Sequence, residues 1–175
     1  MPSALRWVFV LIAFNVSITG CNSSSKYVGD GSFLDNGSGS ALRYELDLGS
    51  VDLSRSGERF FRFANLPDET FTFGLRIHGN NRDLEALKRS GTIVALRIST
   101  DNELEPVTYQ NDIANWVWSI YSGHEEAFLY ARMPGGTDFK LEPNRAYSAS
   151  LTVRSKASAQ SVVNARLIAF GGGWK

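Results

Sequence analysis

Apolar and polar residues alternate along several stretches of this chain. The clearest stretches are 42–48, 70–78 and 147–153, where almost every second residue is apolar or aromatic. Successive side chains of a strand point to opposite faces, so a period of two places one face in a core and leaves the other wet. These stretches therefore predict half-buried β-strands.

Shorter strand-prone segments continue the same pattern and are separated by residues typical of turns. They lie at 59–63, 92–100, 127–132, 139–141 and 162–170. Seven or eight short strands of this kind predict an all-β fold, an antiparallel β-sandwich of immunoglobulin-like or jelly-roll-like type. We assign it to residues 41–175 as a single domain.

One segment has helical spacing. Asp83 is of the type that caps a helix N-terminus, Leu84 and Leu87 follow at that spacing, and Ser90-Gly91 would end the helix. The sequence thus predicts one short helix beside the strands.

The segment 101–121 is ambiguous, since Trp116 fits a helical stripe with Ile113 and equally fits a strand with Trp118. Its β-branched and aromatic content favours a strand. In a strand the two tryptophans share a face, so both are core or both are exposed.

The same segment holds the candidate binding residues, four aromatic side chains beside asparagine and aspartate. They are Tyr109, Trp116, Trp118 and Tyr121. Trp and Tyr beside polar groups can form a protein-binding hot spot or a platform on which a sugar ring stacks. The alternative is that the two tryptophans are simply part of the core.

The N-terminus has a different pattern. Arg6 supplies a positive charge, and a mostly apolar run extends over residues 7–18. As a helix this run would be about 18 Å long, whereas a membrane span needs about 20 residues. Residues 1–20 therefore read as an export signal and not as a span.

The signal ends in Ile18-Thr19-Gly20-Cys21, which resembles the lipobox of bacterial lipoproteins. Leucine is commoner where Ile18 stands. The resemblance implies cleavage before Cys21 and lipidation of this cysteine, which anchors the protein by its acyl chains. Two chains or an equivalent second signal give stable anchoring.

The residues after the cysteine bear on location. Aspartate at the second mature position retains enteric lipoproteins in the inner membrane, and Asn22 stands there. The resemblance thus implies the outer membrane, with the domain facing the periplasm and the cell surface as the alternative. Residues 21–40 are rich in Gly, Ser, Asn and Asp, which predicts a flexible tether.

The composition bears on which partners the chain can bind and on what stabilises its fold. The chain has 18 basic and 18 acidic side chains, so no basic field favours nucleic acid. Its one cysteine is taken by the anchor, which leaves no disulfide. The apolar core must hold the fold.

No catalytic pattern stands out. The chain has no Gly-x-Ser-x-Gly elbow and no phosphate-binding loop leading into a helix, and His78 and His124 lack the spacing of metal ligands. We therefore expect a protein that is not an enzyme and that has no cofactor and no metal.

A second resemblance extends over most of residues 58–170. The Phe-x-Phe-Gly-Leu-x-Ile pattern at 71–77 and the segment 141–147 resemble a group of poorly characterised proteobacterial β-sandwich lipoproteins. In that group we expect Tyr in place of Phe71 and Gly in place of Asn144. Some similar lipoproteins look like immunity partners of secreted toxins, and no site residue follows from the resemblance.

These observations predict a lipid-anchored envelope module that binds another protein, as an immunity protein or as a subunit of an envelope complex. The alternative is a surface lipoprotein that binds glycan or peptidoglycan through the aromatic cluster.

Overall fold

The computed structural model describes residues 26–40, 42–101, 106–120, 126–131, 138–156 and 164–172. Within these ranges the chain forms two antiparallel sheets and one α-helix, which confirms the predicted all-β sandwich with a short helix. The predicted signal, Cys21 and Tyr121 lie outside the described residues.

Twelve strands lie in the described residues, more than the seven or eight predicted. In chain order they are β1 (Val28–Gly29), β2 (Ser32–Asp35), β3 (Tyr44–Asp52), β4 (Gly57–Ala64), β5 (Glu69–His78), β6 (Ile93–Thr100), β7 (Val107–Asp112), β8 (Val117–Ile120), β9 (Glu126–Tyr130), β10 (Asp138–Leu141), β11 (Ala146–Arg154) and β12 (Asn164–Gly171).

The first sheet has the order β1-β4-β11-β6-β7 and the second the order β2-β3-β12-β5-β9-β8. β10 pairs with β5 on the same side as β9, because Tyr130 pairs with Gly74 and Asp138 pairs with Thr72. β9 and β10 therefore lie end to end along the same side of β5 and are separated in the sequence by residues 131–137.

The core lies between the inner faces of the two sheets. Phe63 of the first sheet contacts Phe73 of the second with ring centroids 6.1 Å apart, and it stacks on Tyr147 at 5.6 Å. The alternation seen in the sequence supplies the other fully buried side chains, among them Leu46, Phe71, Leu75, Ile77, Leu96, Leu129 and Leu151.

The helix α1 (Asn81–Lys88) begins earlier than predicted. Asn80 is the N-cap, and its side-chain oxygen accepts a hydrogen bond from the backbone N–H of Asp83 at 3.0 Å. The assignment of Asp83 as the cap was wrong because both residue types cap helices. Leu84 and Leu87 bury the inner face of the helix, as predicted.

Residues 27–35 form what we call the strap, which crosses from one sheet to the other at the edge of the sandwich. β1 pairs with the C-terminal end of β4, and β2 pairs with β3. Between them Gly31 has φ of 79°, and a Cβ there would lie 1.9 Å from the backbone oxygen of Asp47, so only glycine fits this crossing.

Aromatic stacking holds the strap against the core. The ring of Tyr27 lies 5.8 Å from that of Phe33, which lies 5.6 Å from that of Tyr44. Burial raises the pKa of Tyr27 to about 12, and the nearby Asp30 carboxylate adds to the rise. The paired structure thus begins at Val28 and not at residue 41, since tertiary stacking orders a segment whose composition resembles a tether.

The turn before β11 is closed by a tyrosine. The Tyr147 hydroxyl accepts a hydrogen bond of 2.7 Å from the backbone N–H of Glu142. Between them Asn144 has φ of 61°, a left-handed conformation that asparagine tolerates. A tyrosine bonded to the backbone a few residues upstream is also found at corners of immunoglobulin-like sandwiches.

Replacing Tyr147 with phenylalanine should lower the free energy of unfolding by about 0.5–1.5 kcal/mol, because it removes the hydrogen bond to the partly exposed Glu142 N–H. Chemical denaturation would measure the loss. Tyr109→Phe is the matched control, since the Tyr109 hydroxyl donates only a long, exposed bond of 3.4 Å to Asn115. Equal losses in the two variants would contradict a special role for the corner.

Candidate functional site

The predicted aromatic cluster is built into the structure. Trp116 is only 3 % exposed, and its ring meets that of Tyr109 edge-on at 5.1 Å. The two residues flank a single 3-10 turn (Ile113–Asn115), which is capped by the side chain of Asp112. Trp116 therefore has no bare face on which a sugar ring could stack.

Trp118 faces the same side as Trp116 and is half-buried. Its indole N–H donates a 3.0 Å hydrogen bond to the Ile113 carbonyl, and the Lys88 ammonium lies 4.6 Å from the ring centroid. A cation over an aromatic face attaches the helix to β8. Of the four predicted binding residues the structure thus brings three together as packing groups, and Tyr121 is outside the described residues.

Charges on the outer face of the second sheet are largely paired. Arg76 contacts Glu45 at 2.7 Å and Glu126 at 3.0 Å, and His78 lies 3.8 Å from Glu126. His124 lies outside the described residues. Among the residues that the structure describes, no three His, Cys, Asp or Glu side chains converge as metal ligands would.

A cleft of about 410 Å³ opens at the edge of the sandwich, where β3 ends and β4 begins, and we call it the edge cleft. Its walls are the ends of the edge-side strands β3 and β4, at residues 50–52 and 57–59. The next strands inward supply its floor, with Leu151 and Val153 from β11 and Asn164 from β12. The volume is in the range of small-ligand and side-chain pockets.

The edge cleft combines an apolar floor with a charged rim. Leu151 and Val153 are buried, and Gly57, which pairs with Val153, leaves open space because no atom lies within 4 Å of where its Cβ would be. On the rim, Arg59 donates a 3.4 Å hydrogen bond to the carbonyl of Ser50 on the opposite wall. The site can therefore hold an apolar group beside a cation.

Phe60 follows the cleft residue Arg59 in β4, with its side chain on the outer face of the strand, and is 69 % exposed, the most exposed large apolar side chain in the described ranges. Its inward-facing neighbours Phe61 and Phe63 are buried, so Phe60 must point outward by the alternation of β4. Sequence reasoning missed this site, although two adjacent phenylalanines in one strand signal that one of them is exposed.

The edge cleft and the start of the strap lie at opposite ends of β4. Val28 pairs with Ala64, while the cleft adjoins Gly57, seven residues along the strand. At about 3.3 Å per residue the separation is about 23 Å. The edge cleft therefore lies at the end of β4 that is remote from the point where the strap enters.

No helix among the described residues is long and apolar enough to cross a membrane. Comparisons of this chain with protein families, with curated proteins and with solved structures find no match.

Proposed function

We propose that this chain is a lipid-anchored protein of the bacterial envelope that binds another protein through the edge cleft and Phe60. The observation that carries the proposal is an exposed phenylalanine beside an apolar cleft that no strap residue covers. Large aromatic side chains beside a pocket are the usual anchors of protein interfaces.

The anchor supports this role by setting the orientation. The Ile18–Cys21 pattern resembles a lipobox, and the strap that follows it enters at the end of β4 remote from the cleft. A protein held by acyl chains on Cys21 in the outer membrane would then present the edge cleft to the periplasm, away from the bilayer.

A photo-crosslinking residue at Phe60 tests the function in intact envelopes. We expect one discrete protein adduct, because a hot-spot side chain lies in direct contact with the partner. Thr108 is the matched control, since it is exposed on β7, the opposite edge of the same sheet.

Identical adducts at residues 60 and 108, or no adduct at residue 60, would contradict the proposal. The adducted protein, recovered and purified, should also bind the Phe60→Ala variant at least about tenfold more weakly.

A further inference from the structure

At the outer edge of β4, near the edge cleft, backbone groups lie that no strand of the described residues pairs with. We propose that the partner adds a short antiparallel strand to β4 between Gly57 and Phe60 and places a large apolar side chain in the cleft. This inference rests on the proposed function and specifies how the partner binds. In such strand addition the backbone bonds give affinity, and pockets for alternate side chains give selectivity.

The strap already shows which backbone groups of β4 face this edge. The Asp30 N–H donates to the Arg62 carbonyl at 2.7 Å, and the Asp30 carboxylate accepts from the Arg62 N–H at 2.7 Å. Because β4 pairs with β11 without a register shift, every second residue turns the same way. The N–H and C=O groups of Phe60 and Glu58 therefore face the same edge, and no strand in the described ranges pairs with them there.

A symmetric pairing of β4 with the β4 strand of a second copy does not fit the edge. Two antiparallel β4 strands centred on Phe60 would pair Glu58 with Arg62, but Asp30 already occupies the backbone groups of Arg62. Registers centred on Glu58 or on Arg59 set like charges opposite each other, which is destabilising. A dimer through β4 is therefore disfavoured, and we assign the edge to an extended segment of a different protein.

The side chains of β4 define the segment. Opposite the outward-facing Phe60 a β-branched or aromatic residue packs best, and opposite Arg59 an acidic residue pairs with the guanidinium. Opposite Gly57 the space above Val153 takes a large apolar side chain. Because the added strand runs antiparallel to β4, its sequence from N- to C-terminus faces Phe60, Arg59, Glu58 and Gly57 in turn. In this order the partner carries an aromatic or β-branched residue, an acidic residue, any residue and a large apolar residue.

The probe that follows is the blocked hexapeptide Ser-Val-Glu-Thr-Leu-Thr, titrated by NMR against the mature chain in detergent micelles. We expect slowed amide exchange at Glu58 and Phe60. An analogue N-methylated at its valine and at the threonine before leucine lacks the two N–H groups that would donate to the Phe60 and Glu58 carbonyls, and its methyl groups would clash with the β4 edge. It should bind at least about tenfold more weakly.

Two variants separate backbone pairing from side-chain contact. Glu58→Pro removes the backbone N–H that faces the free edge and the exposed carboxylate bond to Thr152, but no backbone bond to β11, so the sheet should tolerate it while peptide binding falls about tenfold or more. Glu58→Ala keeps that N–H, loses the same carboxylate bond to Thr152 and should bind within about twofold of wild type.

Unchanged binding of the N-methylated peptide, or no protection of the two amides, would overturn strand addition even if Glu58→Pro fails to fold. A residue-60 adduct in envelopes would in that case leave the proposed function standing. If no crosslinked adduct forms at residue 60 in envelopes but the peptide still binds, the result would count only against the proposed binding of a partner protein.

Discussion

Replacing Cys21 with serine, in a chain that carries a standard cleavable signal, should release the protein from the membrane completely. The acyl chains proposed on Cys21 contribute about 0.8 kcal/mol for each buried methylene, which dominates the attachment. We expect no comparable attachment elsewhere, because the sequence after residue 21 has no second apolar run of spanning length and the formal net charge is +0. Membrane fractionation of the two proteins would measure the change.

The control is the wild-type chain with its own signal, whose mature N-terminus should carry acyl chains by mass spectrometry. With its own signal the Cys21→Ser variant should remain an uncleaved precursor, so only the re-signalled variant is informative for anchoring. An unmodified Cys21 thiol on the mature protein, or full retention of the re-signalled variant, would end the lipoprotein proposal.

Gly74→Ala should lower the free energy of unfolding by about 3 kcal/mol, at the upper end of ordinary overpacking. A Cβ on Gly74 would lie 2.2 Å from the backbone oxygen of Leu129 and 3.0 Å from the Phe128 ring. The ring can turn aside, but the oxygen belongs to β9, which pairs with β5. Relief therefore requires a central strand pair to separate, and denaturant unfolding would report the loss.

Gly57→Ala is the matched control in the other sheet. No atom lies within 4 Å of where its Cβ would be, and its φ is not positive. The substitution should change stability by less than about 0.5 kcal/mol, as is usual for an open surface site. Comparable losses at residues 57 and 74 would show that backbone approach at Gly74 is not the cause.

The strands that form the core could be predicted from sequence because their burial is one-sided. In 70–78 and 147–153 each inward residue is apolar, and each outward residue except Gly74 is polar, which is what a sheet with one wet face requires. Gly74 interrupts this alternation, and the close approach expected of a glycine inside a strand is what the structure has there.

The strap could not be predicted, since strands of two and four residues have too few positions to establish a period. Its order depends on Tyr27 and Phe33 stacking on Tyr44, which is a tertiary contact. Leu34, from the same segment, remains exposed. The composition of the segment indicates that it is polar, but it does not indicate that the rings of Tyr27 and Phe33 pack against the core.

The edge cleft, our candidate binding site, was missed for a similar reason. The alternation correctly sets Trp116 and Trp118 on one side, but how far each ring is covered depends on the helix, whose Lys88 lies over Trp118. The edge cleft joins residues 50–59 to Leu151 and Val153, which are remote in sequence. From sequence alone, Gly57 is simply a residue of a turn.

The strap also determines how the protein would respond to a pulling force. From Cys21 to Tyr27 the chain reaches at most about 20 Å, so the domain would be held close to the bilayer. Tension from the lipid would load the two-residue pairing of β1 first and open its bonds one after another. Detachment up to β3 would lengthen the reach by roughly 50 Å and bare more of the β4 edge, so the strap would serve as a mechanical length reserve.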